Sequence, residues 1–408
     1  VVSAPPSKSY TIRGVMCAAL ARGESQIINP LISDDTRAAV NVLRQVGVSI
    51  HEKGDGWQVI GGNFHQPTAE LFCGESAATL RFMIAICSLV PGECRLTAGP
   101  SLSRRPVKSL VQALRQLGVN CSSQGDFAPV VVNGGGLRGG KAELAGNISS
   151  QFISALLLIS PFAEEGIKIR LTTPLESRPF VLMTLDCMEK FGVKVSASGD
   201  LREFEITRQL YQPARFSVEG DWSSASYLLA SGAIAGEVKV ENLSQDSRQG
   251  DRVILELLQD MGALVETSRN SVTVRKSNLK AVKADLSDCI DLLPTMAVLA
   301  AVADGVSQFT GIERARLKES NRVSAVTEGL RNMGIAVDEA SNRLTITGSK
   351  PKSAVINPRD DHRIAMALGI LGLLTEETVV EDAECVSKTF PRFWEVLKSL
   401  GSEVEVHE

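Results

Sequence analysis

The sequence predicts an α/β protein made of two similar globular domains, each of three repeated α/β units. Three observations predict it. A helix ending of fixed form recurs six times, an almost wholly apolar helix recurs at the same period, and the composition suits a large core in a soluble chain.

The helix ending is an apolar residue, a glycine and then a strand-like alternation. Its copies read LRQVGVSI around Gly47, LRQLGVNC around Gly118, MEKFGVKV around Gly192, LQDMGALV around Gly262, LRNMGIAV around Gly334 and LKSLGSEVEV around Gly401, about 70 residues apart. A glycine just past the last helical turn takes the left-handed conformation that closes a helix, and the alternation after it starts a half-buried strand. Each unit is therefore expected to hold a helix feeding a strand.

The apolar helices open at Ser7, Glu75, Ser149, Trp222, Asp291 and Asp360. They lack a polar face, which implies burial on all sides. With two helices to a unit and three units to a domain, the domains are expected at 8–218 and at 1–7 together with 219–408.

The chain has 408 residues, 44% of them hydrophobic, and a net charge of -4 from 43 basic and 47 acidic residues. That balance gives no broad basic field for nucleic acid. Eight scattered cysteines form no C-x-x-C pair and stand by no histidine cluster, so they read as reduced thiols of a cytoplasmic protein rather than metal ligands. No apolar run reaches the roughly 18 residues of a membrane span, and the first residues lack a leader's charged and apolar regions. A monomer is expected.

The starts of the apolar helices carry the chemistry. Helix N-termini present free N–H groups that favour anions, and Ser, Thr and Asp there are ordinary caps. Capping does not account for Lys8, Arg13, Arg81, Arg105, Arg178, Lys318, Arg322, Arg363 and Lys388, because a cation in a first turn is unfavourable unless an anion is supplied. Their repetition predicts a cleft that receives anionic small molecules. GGLRGGKA at 135–142 nearly spells a phosphate-binding loop, but it ends in Ala142 where Ser or Thr would bind Mg²⁺ and no helix pattern follows, so it reads as a glycine-rich turn.

Eight segments in order, PPSKSYTIR (Pro5–Arg13), GESAATLR (Gly74–Arg81), LSRRPV (Leu102–Val107), SSQF (Ser149–Phe152), ESRPF (Glu176–Phe180), RARLKESNR (Arg314–Arg322), DDHR (Asp360–Arg363) and SKTFP (Ser387–Pro391), resemble the motifs of EPSP synthases over the full length. The resemblance implies a cofactor-free, metal-free enzyme that moves the enolpyruvyl group of phosphoenolpyruvate to the 5-hydroxyl of shikimate 3-phosphate, a step of aromatic amino-acid biosynthesis. Its active site would lie in the interdomain cleft, which would close on shikimate 3-phosphate.

The same resemblance implies that Lys8, Ser9, Arg13, Ser149, Ser150, Gln151, Ser177, Asp291, Arg314 and Lys318 hold shikimate 3-phosphate. Phosphoenolpyruvate would meet Lys8, Ala77, Arg105, Gln151, Arg322, Arg363 and Lys388. The two substrates carry a charge of about -6, which needs matching cations away from water. Addition and elimination need acid–base groups at both ends. Asp291 is assigned to the 5-hydroxyl proton and Glu319 to the methylene proton, with Lys8 the alternative donor; Lys8 also assists the bridging oxygen and leaving phosphate, and His362 orients. Locally, Glu319 could equally be a salt-bridged helix residue and Asp291 a helix cap.

Two departures from the family's pattern stand out. Ala77 and Ala78 replace the usual Gly and Thr of the phosphoenolpyruvate loop, and the methyl group of Ala77 narrows the pocket, implying weak binding of the slightly longer inhibitor glyphosate. Phe180 replaces a frequent Tyr, removing one hydroxyl. The related UDP-N-acetylglucosamine 1-carboxyvinyltransferases carry a reactive cysteine before their Arg-Pro, and Ser101–Arg105 contains none. A non-catalytic repeat scaffold should present aromatic or apolar anchors at its binding face, where this chain has Lys, Arg, Ser and Asp.

Overall fold

A computed structural model describes residues 1–407. The chain forms two compact units, a first comprising Pro6–Val218 and a second comprising Val1–Pro5 with the chain from Glu219 onward. Pro6 and Ser7 go with the first unit, whereas the sequence assigned them to the second. The reason is local: the Ser7 side chain accepts from the Tyr10 N–H and caps the first helix. Val2–Ser3 instead pairs in parallel with Val240 and Glu241, and Asp221 N–H donates to the Pro5 carbonyl at 2.8 Å.

Among the described residues twelve α-helices alternate in two kinds. The buried kind comprises α1 (Lys8–Leu20), α3 (Ala77–Ile86), α5 (Ser150–Ile159), α7 (Trp222–Ala235), α9 (Leu293–Ala301) and α11 (His362–Gly372). In α1 every residue from Tyr10 to Leu20 is buried, as an all-round apolar helix requires. The amphipathic kind comprises α2 (Asp34–Gln45), α4 (Lys108–Gln116), α6 (Arg178–Lys190), α8 (Ile254–Asp260), α10 (Arg322–Asn332) and α12 (Phe393–Ser399). Beyond each lies its glycine, from Gly47 to Gly401, with φ between 80° and 104°, the left-handed range in which a side chain would be strained.

Five of the six repeats build the same four-stranded sheet: an edge strand parallel to its neighbour, then two antiparallel strands. In the first unit the orders are Arg215–Ser217, Gly23–Ile28, Gly56–Gly61, Ser49–Lys53; Leu71–Phe72, Gly92–Thr97, Phe127–Gly134, Asn120–Gln124; and Gly140–Leu144, Ile167–Leu171, Glu203–Ile206, Ser196–Ala197. In the second they are Val2–Ser3, Glu237–Glu241, Ser271–Arg275, Leu264–Thr267; and Lys283–Asp285, Val306–Thr310, Arg343–Thr347, Ala336–Ala340. Alternate residues such as Ile27, Trp57 and Val59 turn inward onto the buried helices, and each unit has its own core.

The expected helix-to-strand step is weakened in the third repeat and absent from the sixth. After Gly192 the strand shrinks to Ser196–Ala197, and after Gly401 the alternation forms no strand among the described residues. The sixth sheet is only Val355–Ile356 beside Val379–Val380. In the complete copies the alternating segment pairs with the strand that follows it, as Ser49–Lys53 does with Gly56–Gly61.

A glycine at the last residue of a central strand, or just past it, recurs pressed on the end of a buried helix. A Cβ at Gly61 would lie 2.4 Å from the Ala18 and Ala19 carbonyl oxygens, at Gly134 2.1 Å from that of Cys87, and at Gly348 1.7 Å from that of Ala303. Among the described residues no helix is long and apolar enough to cross a membrane.

Candidate active site

In the first unit the functional side chains cluster at helix starts. Lys8 is the first residue of α1 and its Nζ lies 2.8 Å from Oδ2 of Asp35, near the start of α2. Both are largely buried. Ser9 follows Lys8, and its carbonyl accepts from Arg13 Nη1 at 3.1 Å. Arg13 donates from Nε to Thr184 Oγ1 at 2.8 Å and from Nη2 to the Phe180 carbonyl at 3.1 Å, with its guanidinium over the rings of Phe82 and Phe180. Two of its donors thus join α1 to α6 while a third bonds within α1, and burial lowers its pKa. Arg13 is first a brace.

Ser149 caps α5, accepting from the Gln151 N–H at 3.3 Å; Ser150 and Gln151 are the first two helical residues. Arg81, in mid α3, donates from Nη1 to Gln151 Oε1 at 2.7 Å and to Ser149 Oγ at 3.2 Å while its guanidinium lies 5.0 Å from the Phe152 ring centroid. It fixes the rotamers of two expected substrate contacts. Ser177 precedes α6 in a left-handed conformation, φ 52°, uncommon for a residue with a side chain. Ala77 opens α3 and is nearly buried. The Glu75 carboxylate accepts from the N–H groups of Ser101 at 3.0 Å and Leu102 at 2.7 Å, holding the turn Leu102–Arg104 and with it the buried Arg105.

The second unit assembles a denser charge network. Asp291 is not a helix cap: it stands in the 3₁₀ turn Ile290–Leu292 before α9 and faces three cations. Its Oδ1 lies 2.7 Å from Arg322 Nη1 and 3.3 Å from Lys318 Nζ, and its Oδ2 lies 3.3 Å from Arg363 Nη2. Burial opposes ionisation of Asp291, but Arg363, Lys318 and Arg322 outweigh it and hold the carboxyl well below the ordinary range.

Arg322 opens α10 and is a three-way anchor. Besides Asp291 it donates to Asp361 Oδ2 at 2.8 Å and to Glu319 Oε2. Glu319 is not within a helix; it sits between the turn Glu313–Leu317 and α10, 3.7 Å from Lys388 Nζ. Asp361 caps α11 through the Arg363 N–H at 3.0 Å, and also accepts from Ser320 Oγ at 3.0 Å. Arg363 Nη1 reaches the Tyr227 hydroxyl at 3.4 Å, and burial pushes that phenol up to about 12. Burial lowers Lys318 although Asp291 opposes the shift.

The structure thus joins Asp291, Lys318, Glu319, Arg322, Arg363 and Lys388 in one network. Arg314 turns aside, donating from Nη2 to the Ser287 carbonyl at 2.7 Å. His362 is buried at the first position of α11, 3.9 Å from Asp361. Four residues that organise these clusters were not among the predicted site residues: Asp35, Glu75, Arg81 and Asp361. Arg81 was read in the sequence as one of the helix-start cations, and Glu75 and Asp361 lay inside the GESAATLR and DDHR segments, whereas Asp35 carried no reading.

The arrangement has a chemical consequence. Lys318, Arg322, Arg363 and Lys388 are already opposed by Asp291, Glu319 and Asp361. An anion arriving here exchanges partners with carboxylates and does not simply meet bare cations. Two nearly buried carboxyls, Asp291 and Glu319, share Arg322 while each holds a further cation, a setting that suits one proton acceptor and one proton donor.

The chain matches the family model of EPSP synthase (3-phosphoshikimate 1-carboxyvinyltransferase) over residues 1–397. It is 50% identical over 405 residues to a 3-phosphoshikimate 1-carboxyvinyltransferase of Dehalococcoides mccartyi, covering 99% of this chain and 96% of that protein. A namesake from Methanocaldococcus jannaschii is 40% identical, with coverages of 100% and 96%. Among solved structures, EPSP synthase from Acinetobacter baumannii superposes with a TM-score of 0.84 at 27% identity, covering 100% of this chain and 96% of that one.

Proposed function

Because the chain belongs to the EPSP synthase family, and is thereby a transferase, we propose a full division of labour for the reaction its relatives are named for. Phosphoenolpyruvate and shikimate 3-phosphate are its substrates. The observation that carries the assignment is the Asp291–Arg322–Glu319 network, in which two carboxyls share one guanidinium.

Asp291, kept ionised by three cations, accepts the proton of the 5-hydroxyl. Glu319, poised between Arg322 and Lys388, protonates the methylene carbon, while Lys8 meets the bridging oxygen and stabilises the departing phosphate. Arg105, Arg322, Arg363 and Lys388 neutralise phosphoenolpyruvate, with Ala77 beside it. Ser9, Arg13, Ser149, Ser150, Gln151, Ser177, Arg314 and Lys318 hold shikimate 3-phosphate, and His362 orients its neighbours. Phosphate release from phosphoenolpyruvate is the test: it should require shikimate 3-phosphate, and UDP-N-acetylglucosamine should not replace it. Release that ignores the acceptor would overturn the reading.

The Ala77 methyl group also makes the enzyme tolerant of glyphosate. Ala77→Gly should lower the inhibitory glyphosate concentration by about tenfold, the scale of one methyl-sized contact in a tight pocket. Equal inhibition of both proteins at low micromolar glyphosate would remove Ala77 from the explanation.

A further inference from the structure

The first and fourth repeats place an acid at equivalent points. In the first, Asp35 near the start of α2 pairs with Lys8 at the start of α1. In the fourth, Asp251 stands in the turn Gly250–Val253 ahead of α8, and what reaches it from the start of α7 is a hydroxyl: Ser223 Oγ donates to Asp251 Oδ2. Trp222 fills the first helical position that Lys8 holds in α1. Asp251 is 4% exposed, and among the described residues it makes no ion pair.

A buried carboxyl without a cation keeps its proton more readily than its charge. The groups facing Asp251 are Asp221 at the cap of α7 and Ser223 within it, Cys289 and Asp291 from the segment before α9, and Arg363 from α11. Arg363 already gives its guanidinium to Asp291 and Tyr227. We propose that Asp251 is a positioning residue of this site: as the neutral acid it leaves Arg363 to Asp291 and to the anionic substrate, and as the carboxylate it diverts that charge and repels the anion.

Burial, and after it the charge of Asp291, raises Asp251 to about 7, so the change of state falls near neutrality. Linkage makes the effect reciprocal: an anion beside Arg363 favours the protonated acid and so binds with proton uptake. The part of the proposal that concerns substrate rests on the enolpyruvyl-transfer reading; the part that concerns protonation does not.

Two measurements test it. ¹³C NMR of the carboxyl-labelled aspartates should show a resonance that titrates near neutral pH and is missing from Asp251→Asn. Phosphoenolpyruvate affinity, read by calorimetry, should fall about tenfold between pH 6 and pH 8.5 in the parent protein, the change that one unit of coupling produces. Asp251→Asn should abolish that fall, and the alkaline limb of its kcat/KM profile should go with it. Ser223→Ala removes a donor to the carboxylate and should move the same limb to higher pH.

An Asp251 resonance confined to the ordinary carboxylate range would overturn the proposal, as would one pH dependence shared by parent and Asp251→Asn. Should the parent transfer no enolpyruvyl group at any pH, the reaction assignment fails. The NMR titration and the phosphoenolpyruvate isotherms still decide the role of Asp251.

Discussion

The first repeat meets its buried acid with an ammonium, and the fourth meets the equivalent acid with a hydroxyl. Asp35 is balanced by Lys8 within its own repeat, whereas Asp251 has Ser223 and lies within the field of Asp291 and Arg363. One scaffold position thus yields a held charge in one unit and a held proton in the other. The contrast extends to the arginines. Arg13 spends its donors on a hydroxyl and two carbonyls, Arg322 on three carboxylates. Neutral acceptors suit a rigid frame, and a carboxylate network suits a site where charge is redistributed during reaction.

The comparison is broken most forcefully at the acids. Asp291→Asn should cut turnover by about 10²–10⁴-fold, the range for losing a positioned acid–base group, as followed by phosphate release. Asp35→Asn, which removes a charge partner and no proton acceptor, should cost far less turnover. Similar losses in the two variants would erase the distinction between the units.

The arginines give the next largest difference. Arg322→Met takes the shared guanidinium from three carboxylates and should cost about 3–5 kcal/mol in equilibrium urea unfolding, the scale for breaking buried ion pairs. Arg322→Lys should recover little of it, because one ammonium cannot reproduce the planar fork. Arg13→Met leaves only neutral acceptors behind and should cost about 1–3 kcal/mol.

The smallest effects differ in sign. Asp35→Asn should destabilise by about 1–2 kcal/mol at pH 7, between the values for exposed and buried ion pairs. Asp251→Asn should stabilise at pH 8. An acid raised from about 3.9 when unfolded to about 7 when folded weakens the fold progressively as pH climbs through that interval, and the full penalty stands above it. The gain from Asp251→Asn should therefore vanish by about pH 4. Thermal melting at pH 4, 6 and 8 checks both variants.

The sequence revealed the repeat well because a capping glycine and an apolar helix are local signals. It overstated the last copy: the segment SEVEV after Gly401 alternates like the other strands but forms none among the described residues, because alternation makes a strand only where another strand accepts its hydrogen bonds. The site was legible as a set of cations at helix starts, and its wiring was not. Lys8 finds Asp35, Arg81 finds Gln151 and Arg322 finds Asp361 at sequence separations of 27, 70 and 39 residues, and no local pattern links such partners. The acids were legible as residue types, while their task of opposing the cations depends on burial that only the fold creates.

Gly61, Gly134 and Gly348 give the molecule internal replicates. Each presses a bare Cα against a carbonyl at the C-terminal end of a buried helix in a different repeat, so alanine introduced at each in turn poses one steric question three times. Agreement among the three answers would show that the repeats share a mechanical tolerance as well as a shape; disagreement would reveal which repeat can yield, and therefore where a designer could lengthen or shorten the framework.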